Sequence, residues 1–189
     1  MEQQTQFKLS NERAFYLVKH FESLDKKGIK YFLGCGYSLI EINLSLSTIG
    51  SKFKSKFSDN PIDLITKLKQ HNPIEIITQT NGNKAVIYKL PFAGGLGTCN
   101  VVNIKDIPKN ERQHIFKLDR NGFETKVIKR NFLDITNQIV LIVNNESEVI
   151  TAFPGLYAPA FPNQLKDSDD IENSLKFWDN HVFLELIMK

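Results

Sequence analysis

Gln138-Ile139-Val140-Leu141-Ile142-Val143, Asn144-Asn145-Glu146-Ser147 and Glu148-Val149-Ile150-Thr151-Ala152-Phe153 form two β-rich runs around a polar four-residue turn. That pattern predicts an antiparallel hairpin. A second hairpin is predicted upstream, where Ile74 to Thr80 and Ala85 to Leu90 flank Asn81-Gly82, a dipeptide that tolerates the positive φ of a tight turn. Downstream, Pro154, Pro159 and Pro162 end the sheet in a loop. A helix from Ser168 through Trp178 follows, and the apolar tail from His181 to Ile187 is either a closing strand or a continuation of that helix.

Towards the N-terminus the period changes. Ala14, Leu17, Val18, Phe21 and Leu24 recur at helical spacing, predicting an amphipathic helix over Ser10 to Lys27 with Ser10 as N-cap and Gly28 just past its end. Between Lys30 and Ser47, Tyr31 to Leu33 read as extended, and Ile40, Ile42, Leu44 and Leu46 alternate with polar residues, which favours strand. A second helix is expected from Pro61 at N1 to about His71, with Asp59 or Asn60 as its cap. The middle of the chain gives a glycine-rich loop at Phe92 to Thr98, a strand at Asn100 to Ile104 and a short helix at Pro108 to Phe116. Turn chemistry at Asp119 to Gly122 then leads into a basic extended segment at Phe123 to Lys129. Helices first and antiparallel strands later make an α+β chain: N-terminal helices packed on a mostly antiparallel sheet, in one domain. Residues 1–73 are the mainly helical part, and 74–189 carry the sheet and a late helix.

Composition fits this. The 189 residues are 41% hydrophobic and 24% charged, with 14 Phe, enough for a real core. No run of 18 apolar residues occurs, so no membrane association is expected, and the opening Met-Glu-Gln-Gln-Thr-Gln lacks the features of a secretory signal. A cytoplasmic location, or export by a signal-independent route, is the expectation. Cys35 and Cys99 are too few for a disulfide framework and read as reduced packing residues. His20, His71, His114 and His181 are dispersed without ligand spacing, so no metal site and no cofactor are expected. Gly94-Gly95-Leu96-Gly97-Thr98 lacks the ending of a phosphate loop and reads as structural.

Charge is segregated. Up to residue 131 the chain holds 21 Lys/Arg against 12 Asp/Glu, and beyond it 3 against 9. A basic segment raises the odds of a polyanionic partner, unless the halves interleave and cancel. Lys52-Phe53-Lys54-Ser55-Lys56-Phe57 would set three ammonium groups on one face of a strand with rings available for stacking; off a strand it is a solvated face with two buried Phe. Lys126, Lys129 and Arg130 form a second basic cluster, near Arg120.

The order Thr136-Asn137, Ile150-Thr151-Ala152-Phe153-Pro154-Gly155-Leu156, Ala158-Pro159-Ala160-Phe161-Pro162 and Trp178-Asp179-Asn180-His181 resembles bacterial ribonuclease-toxin domains of the barnase, EndoU, colicin and RelE group. The resemblance covers about residues 98 to 183 and is strongest over Ile150 to Leu156. It implies a toxin or effector that cleaves or binds RNA, a metal-independent endoribonuclease needing no cofactor, with an antitoxin or immunity protein as companion. In such a reaction a base takes the ribose 2′-OH proton and cations stabilise the phosphorane. Carried onto this chain, Arg120 would stabilise phosphate charge, Thr136 and Thr151 would hydrogen-bond phosphate oxygens, and His181 would move the proton, imidazole being the side chain that titrates near neutrality. The early-helix base of several such nucleases has only His20 as counterpart. An expectation of a different class is a non-catalytic module whose proline-rich loop, residues 153–162, docks a partner protein through exposed aromatics.

Overall fold

The computed structural model of the chain describes residues 6–187. It is α+β with mostly antiparallel sheets, and most of its helices precede the first strand as expected. Compaction cuts across that order: one unit runs up to Thr98 and takes in Ile135–Gly155, and a second comprises Cys99–Asp134 and the chain from Leu156 onward.

The first unit is built on a four-stranded antiparallel sheet. Its strands are β1 (Glu75–Thr78), β2 (Lys84–Lys89), β8 (Gln138–Val143) and β9 (Val149–Pro154), in the order β1-β2-β8-β9. Both predicted hairpins are present, with Ile77 opposite Ala85 and Val140 opposite Phe153. Central β8 is buried from Ile139 to Val143, which is why its run is continuously apolar rather than alternating. Above the sheet, α1 (Asn11–Leu17) packs on β9 and contributes Leu17 to a core with Phe21, Phe53, Leu64, Leu68, Tyr88 and Leu141.

The predicted long first helix breaks. Ser10 caps α1, accepting from the Arg13 N–H at 3.1 Å. After a 3-10 turn at Val18–His20, Phe21 is extended and bridges Phe53, the two rings 5.2 Å apart in the core. A new helix, α2 (Lys26–Gly34), starts at Asp25, whose carboxylate takes the Gly28 N–H at 2.6 Å. Gly28 is therefore inside a helix start rather than past a helix end. A Cβ there would stand 3.0 Å from Asp25 Oδ1 and 3.1 Å from Asn60 Nδ2.

The predicted strand at Lys30 to Ser47 is also helical, made of the end of α2 and of α3 (Leu39–Leu46). Ser38 and Glu41 close a capping box, and this local signal overrides the two-residue alternation. The cost is visible, since of α3's apolar residues only Ile42 is buried, while Ile40 and Leu44 are 72% and 66% exposed. Of the two candidate caps it is Asn60, not Asp59, that caps α4 (Pro61–Leu68).

The second unit is a four-stranded sheet of β4 (Val101–Asn103), β10 (His181–Leu186), β6 (Phe123–Arg130) and β5 (Phe116–Arg120), in that order. The tail is thus a strand. It lies between β4 and β6 and runs parallel to β6, with Leu184 opposite Ile128. β5 replaces the end of the predicted short helix, which is confined to α5 (Lys109–Arg112). The late helix α6 (Ser168–Asn180) is capped by Asp167 and passes directly into β10 at His181. Ile107, Ile128, Val182 and Leu184 fill one core, and Trp178 packs among Phe161, Phe177 and Phe183 at 5.0–5.1 Å. The remaining strands, β3 (Gly97–Cys99) and β7 (Asp134–Thr136), pair with each other.

Candidate functional site

Most of the cations singled out in the sequence are already committed. Lys52 Nζ donates to the carbonyl oxygens of Lys19 and Leu46 at 2.5 and 2.9 Å, and Lys54 Nζ to that of Gly94 at 2.7 Å. These ammonium groups close helix and loop ends. The hexamer around them is a bridge and a turn, not a strand presenting three cations; Phe53 and Phe57 are buried and Lys56 is exposed. In the second unit, Arg130 is gripped by Glu111 at 2.7 Å and Asp134 at 2.6 Å. Lys126 reaches the Asp179 carbonyl at 2.6 Å, and Lys129 is exposed on β6 opposite Glu185.

Arg120 belongs to β5 rather than to a turn. Its guanidinium pairs with Glu185 at 3.2 Å and lies 4.3 Å from the centre of the Phe183 ring. Its Nε is buried and has no hydrogen-bond partner among the described residues. Thr136 Oγ1 accepts the Gln138 N–H at 3.1 Å, a local turn bond, and Thr151 is a half-buried strand residue opposite Ile142. Both threonines belong to the first unit, Arg120 and His181 to the second, so neither unit assembles the four.

His20 is unsuited to proton transfer near neutrality. Burial pushes its pKa down to about 4, against a bond from Nδ1 to the Ser51 carbonyl at 3.3 Å, with the charges of Lys19 and Lys52 adding to the depression. Cys99 is buried too, its thiol pushed up to about 11, so the packing role expected of it stands. In the proline-rich loop Phe153, Tyr157 and Phe161 are half-buried rather than fully exposed: Phe161 packs on Phe123 and Trp178, Trp178 Nε1 donates to the Pro159 carbonyl at 3.2 Å, and the Ser174 hydroxyl donates to the Ala160 carbonyl at 2.6 Å.

His181 is placed differently. It stands at the junction of α6 and β10, its ring stacked 3.8 Å above Phe177. Its Nδ1 is 2.7 Å from the Phe177 carbonyl oxygen. A carbonyl only accepts, so Nδ1 carries the proton and Nε2 is the nitrogen left for chemistry. The ring lines an open cleft of about 670 Å³ in the second unit, together with Lys105, Arg112, Lys176, Asn103, Asn173 and Asn180. Among the described residues this lining has three cations and no carboxylate. Arg112 is held ready: Nε donates to the Ile107 carbonyl at 2.9 Å and one terminal nitrogen to that of Lys105 at 3.2 Å, leaving the rest of the guanidinium fork unspent. Lys176 pairs with Glu172 at 3.4 Å, an exposed contact worth little.

No protein-family model matches this chain, and a search of curated proteins finds none that matches it. The reading of the cleft therefore rests on its own residues.

Among the described residues no cluster of three His, Cys, Asp or Glu is arranged to hold a metal ion, and no helix is long and apolar enough to cross a membrane. Lys105, Arg112 and Lys176 were not singled out from the sequence, although one signal was present. Asn173, Lys176, Phe177 and Asn180 recur at helical spacing and form the wall that α6 gives to the cleft.

Proposed function

We propose that this chain binds RNA in the cleft around His181 and cleaves it without a metal ion, as the resemblance to ribonuclease-toxin domains implies. The observation that supports the reading is the oriented imidazole, Nδ1 fixed by the Phe177 carbonyl, in a cleft whose charged side chains are all cationic. His181 Nε2 takes the proton of a ribose 2′-OH, and the freed oxygen attacks the adjacent phosphorus. The O2′–P bond forms and the P–O5′ bond breaks, giving a 2′,3′-cyclic phosphate and a 5′-hydroxyl, with a cleft ammonium supplying the proton to O5′. Lys105, Arg112 and Lys176 stabilise the charge that builds on the non-bridging oxygens.

Arg120, Thr136 and Thr151, which the resemblance would place at the phosphate, have structural partners and are not part of this proposal. RNA is the proposed partner, in the cytoplasm or after export by a signal-independent route, and an antitoxin or immunity protein would protect a producing cell. The test is incubation of the purified protein with RNA in EDTA. Cleavage lost in His181→Ala and reduced by Arg112→Ala, with both variants folded, supports the proposal; RNA left intact by the unaltered protein rejects it.

A further inference from the structure

β5 is an edge strand of the second unit's sheet, and its first four residues are exposed. Residues Asn121 and Gly122, with φ of 55° and 84°, form the two-residue turn into β6, so Arg120 and Phe123 are the hydrogen-bonded closing pair. Alternation then follows. Leu118 and Phe116 also turn their backbone groups towards β6, opposite Thr125 and Val127, whereas Lys117 and Asp119 turn theirs outward. Among the described residues, no hydrogen bond is made by these outward N–H and C=O groups.

The side chains are mismatched within the hairpin. Lys117 stands directly opposite Lys126, and Asp119 directly opposite Glu124, two like-charge pairs that cost stability. Among the described residues, Lys117 has one ion-pair contact, diagonal to Glu124 at 3.9 Å and exposed at both ends, while the opposing Lys126 is paired with Asp179 at 3.3 Å. The edge also shows Phe116 and Leu118, 37% and 41% exposed.

We propose that β5 pairs with β5 of a second copy of this chain, antiparallel about Leu118. In that register Lys117 of each copy stands opposite Asp119 of the other. These are the residues whose backbone groups point outward, so four N–H···O=C bonds form in two closely spaced pairs. Each β5 charge then has an opposite charge on its outer side to offset the like charge on β6, and the two Leu118 side chains cover each other. Edge lysines ordinarily prevent such pairing by repulsion, but here the strand is its own charge complement. β1, an edge of the other sheet, carries Glu75 and no cation, and lacks that property.

Sedimentation of the full chain across a wide concentration range tests this. The expected result is a concentration-dependent dimer, weakened about tenfold or more by Lys117→Glu, which sets like charges opposite each other twice. The exchange Lys117→Asp with Asp119→Lys keeps the two strands complementary and is expected to restore the dimer. Lys117→Pro removes an outward donor without touching the ladder to β6 and is expected to abolish pairing while circular dichroism stays native. A monomer at all concentrations overturns the proposal, as does a dimer indifferent to both Lys117→Glu and Lys117→Pro.

Discussion

Gly97 lies against Pro154 with no room for a side chain: a Cβ at that position would be 2.7 Å from the proline Cβ and 2.7 Å from the Lys52 carbonyl oxygen. This close approach is what requires glycine at the start of β3. Gly97→Ala is expected to cost about 1–3 kcal/mol, because neither a ring nor a backbone carbonyl can swing aside. Urea denaturation measures it, and an unchanged midpoint would mean the contact relaxes freely.

His20 predicts an acid sensitivity with a defined sign. Its pKa falls from 6.5 in the unfolded chain to about 4 in the fold, chiefly through burial. Above pH 6.5 neither state binds the proton and the stabilisation is fully present. As pH falls from 6.5 to about 4 the unfolded chain protonates first and stability is lost, by up to about 3 kcal/mol. His20→Gln should flatten this part of the profile. Equal slopes for the two proteins between those pH values would contradict it.

Arg120 is expected to matter for stability and not for RNA. Arg120→Met removes the Glu185 pair and the contact over Phe183, both partly exposed, for about 1–2 kcal/mol in thermal or urea unfolding. Cleavage by the folded variant should match that of the unaltered protein. A selective loss of cleavage would return Arg120 to the phosphate.

The capping box of α3 carries a similar expectation. Ser38→Ala removes the hydroxyl that accepts the Glu41 N–H at 3.1 Å, while the backbone N–H of residue 38 can still donate to Glu41, and should cost about 1 kcal/mol. Helical content by circular dichroism should fall with it, whereas an unchanged spectrum and midpoint would show that α3 is held by packing alone.

The legibility of these features follows their range along the chain. Both hairpins, the Asn60 cap of α4 and the late helix were readable because turn and cap chemistry is local. The α2–α3 region was misread because Ile40, Ile42, Leu44 and Leu46 alternate like a strand, and the decisive signal was Ser38 with Glu41 three residues later. The break after α1 came from a long-range contact, Phe21 with Phe53, that helical periodicity cannot show. His181 was singled out for its chemistry, but its cleft was not legible. The parallel pairing of β10 with β6 carries the last strand into the sheet, and only the folded second unit brings Lys105 and Arg112 alongside α6. Part of the charge asymmetry is spent in internal pairing: Glu185, Asp179 and Asp134 of the acidic part hold Arg120, Lys126 and Arg130.

The basic cleft as a phosphate site is the centre of the account, and salt dependence of RNA affinity addresses it most directly. Binding of single-stranded RNA to His181→Ala, in which the proposed turnover is expected to be lost, is to be measured against salt, with and without Lys105→Ala, Arg112→Ala and Lys176→Ala combined. If the three cations neutralise phosphates, the slope of log affinity against log salt falls by about 2 units, near 0.7 for each contact on a single strand. An identical slope in the two proteins would contradict the account.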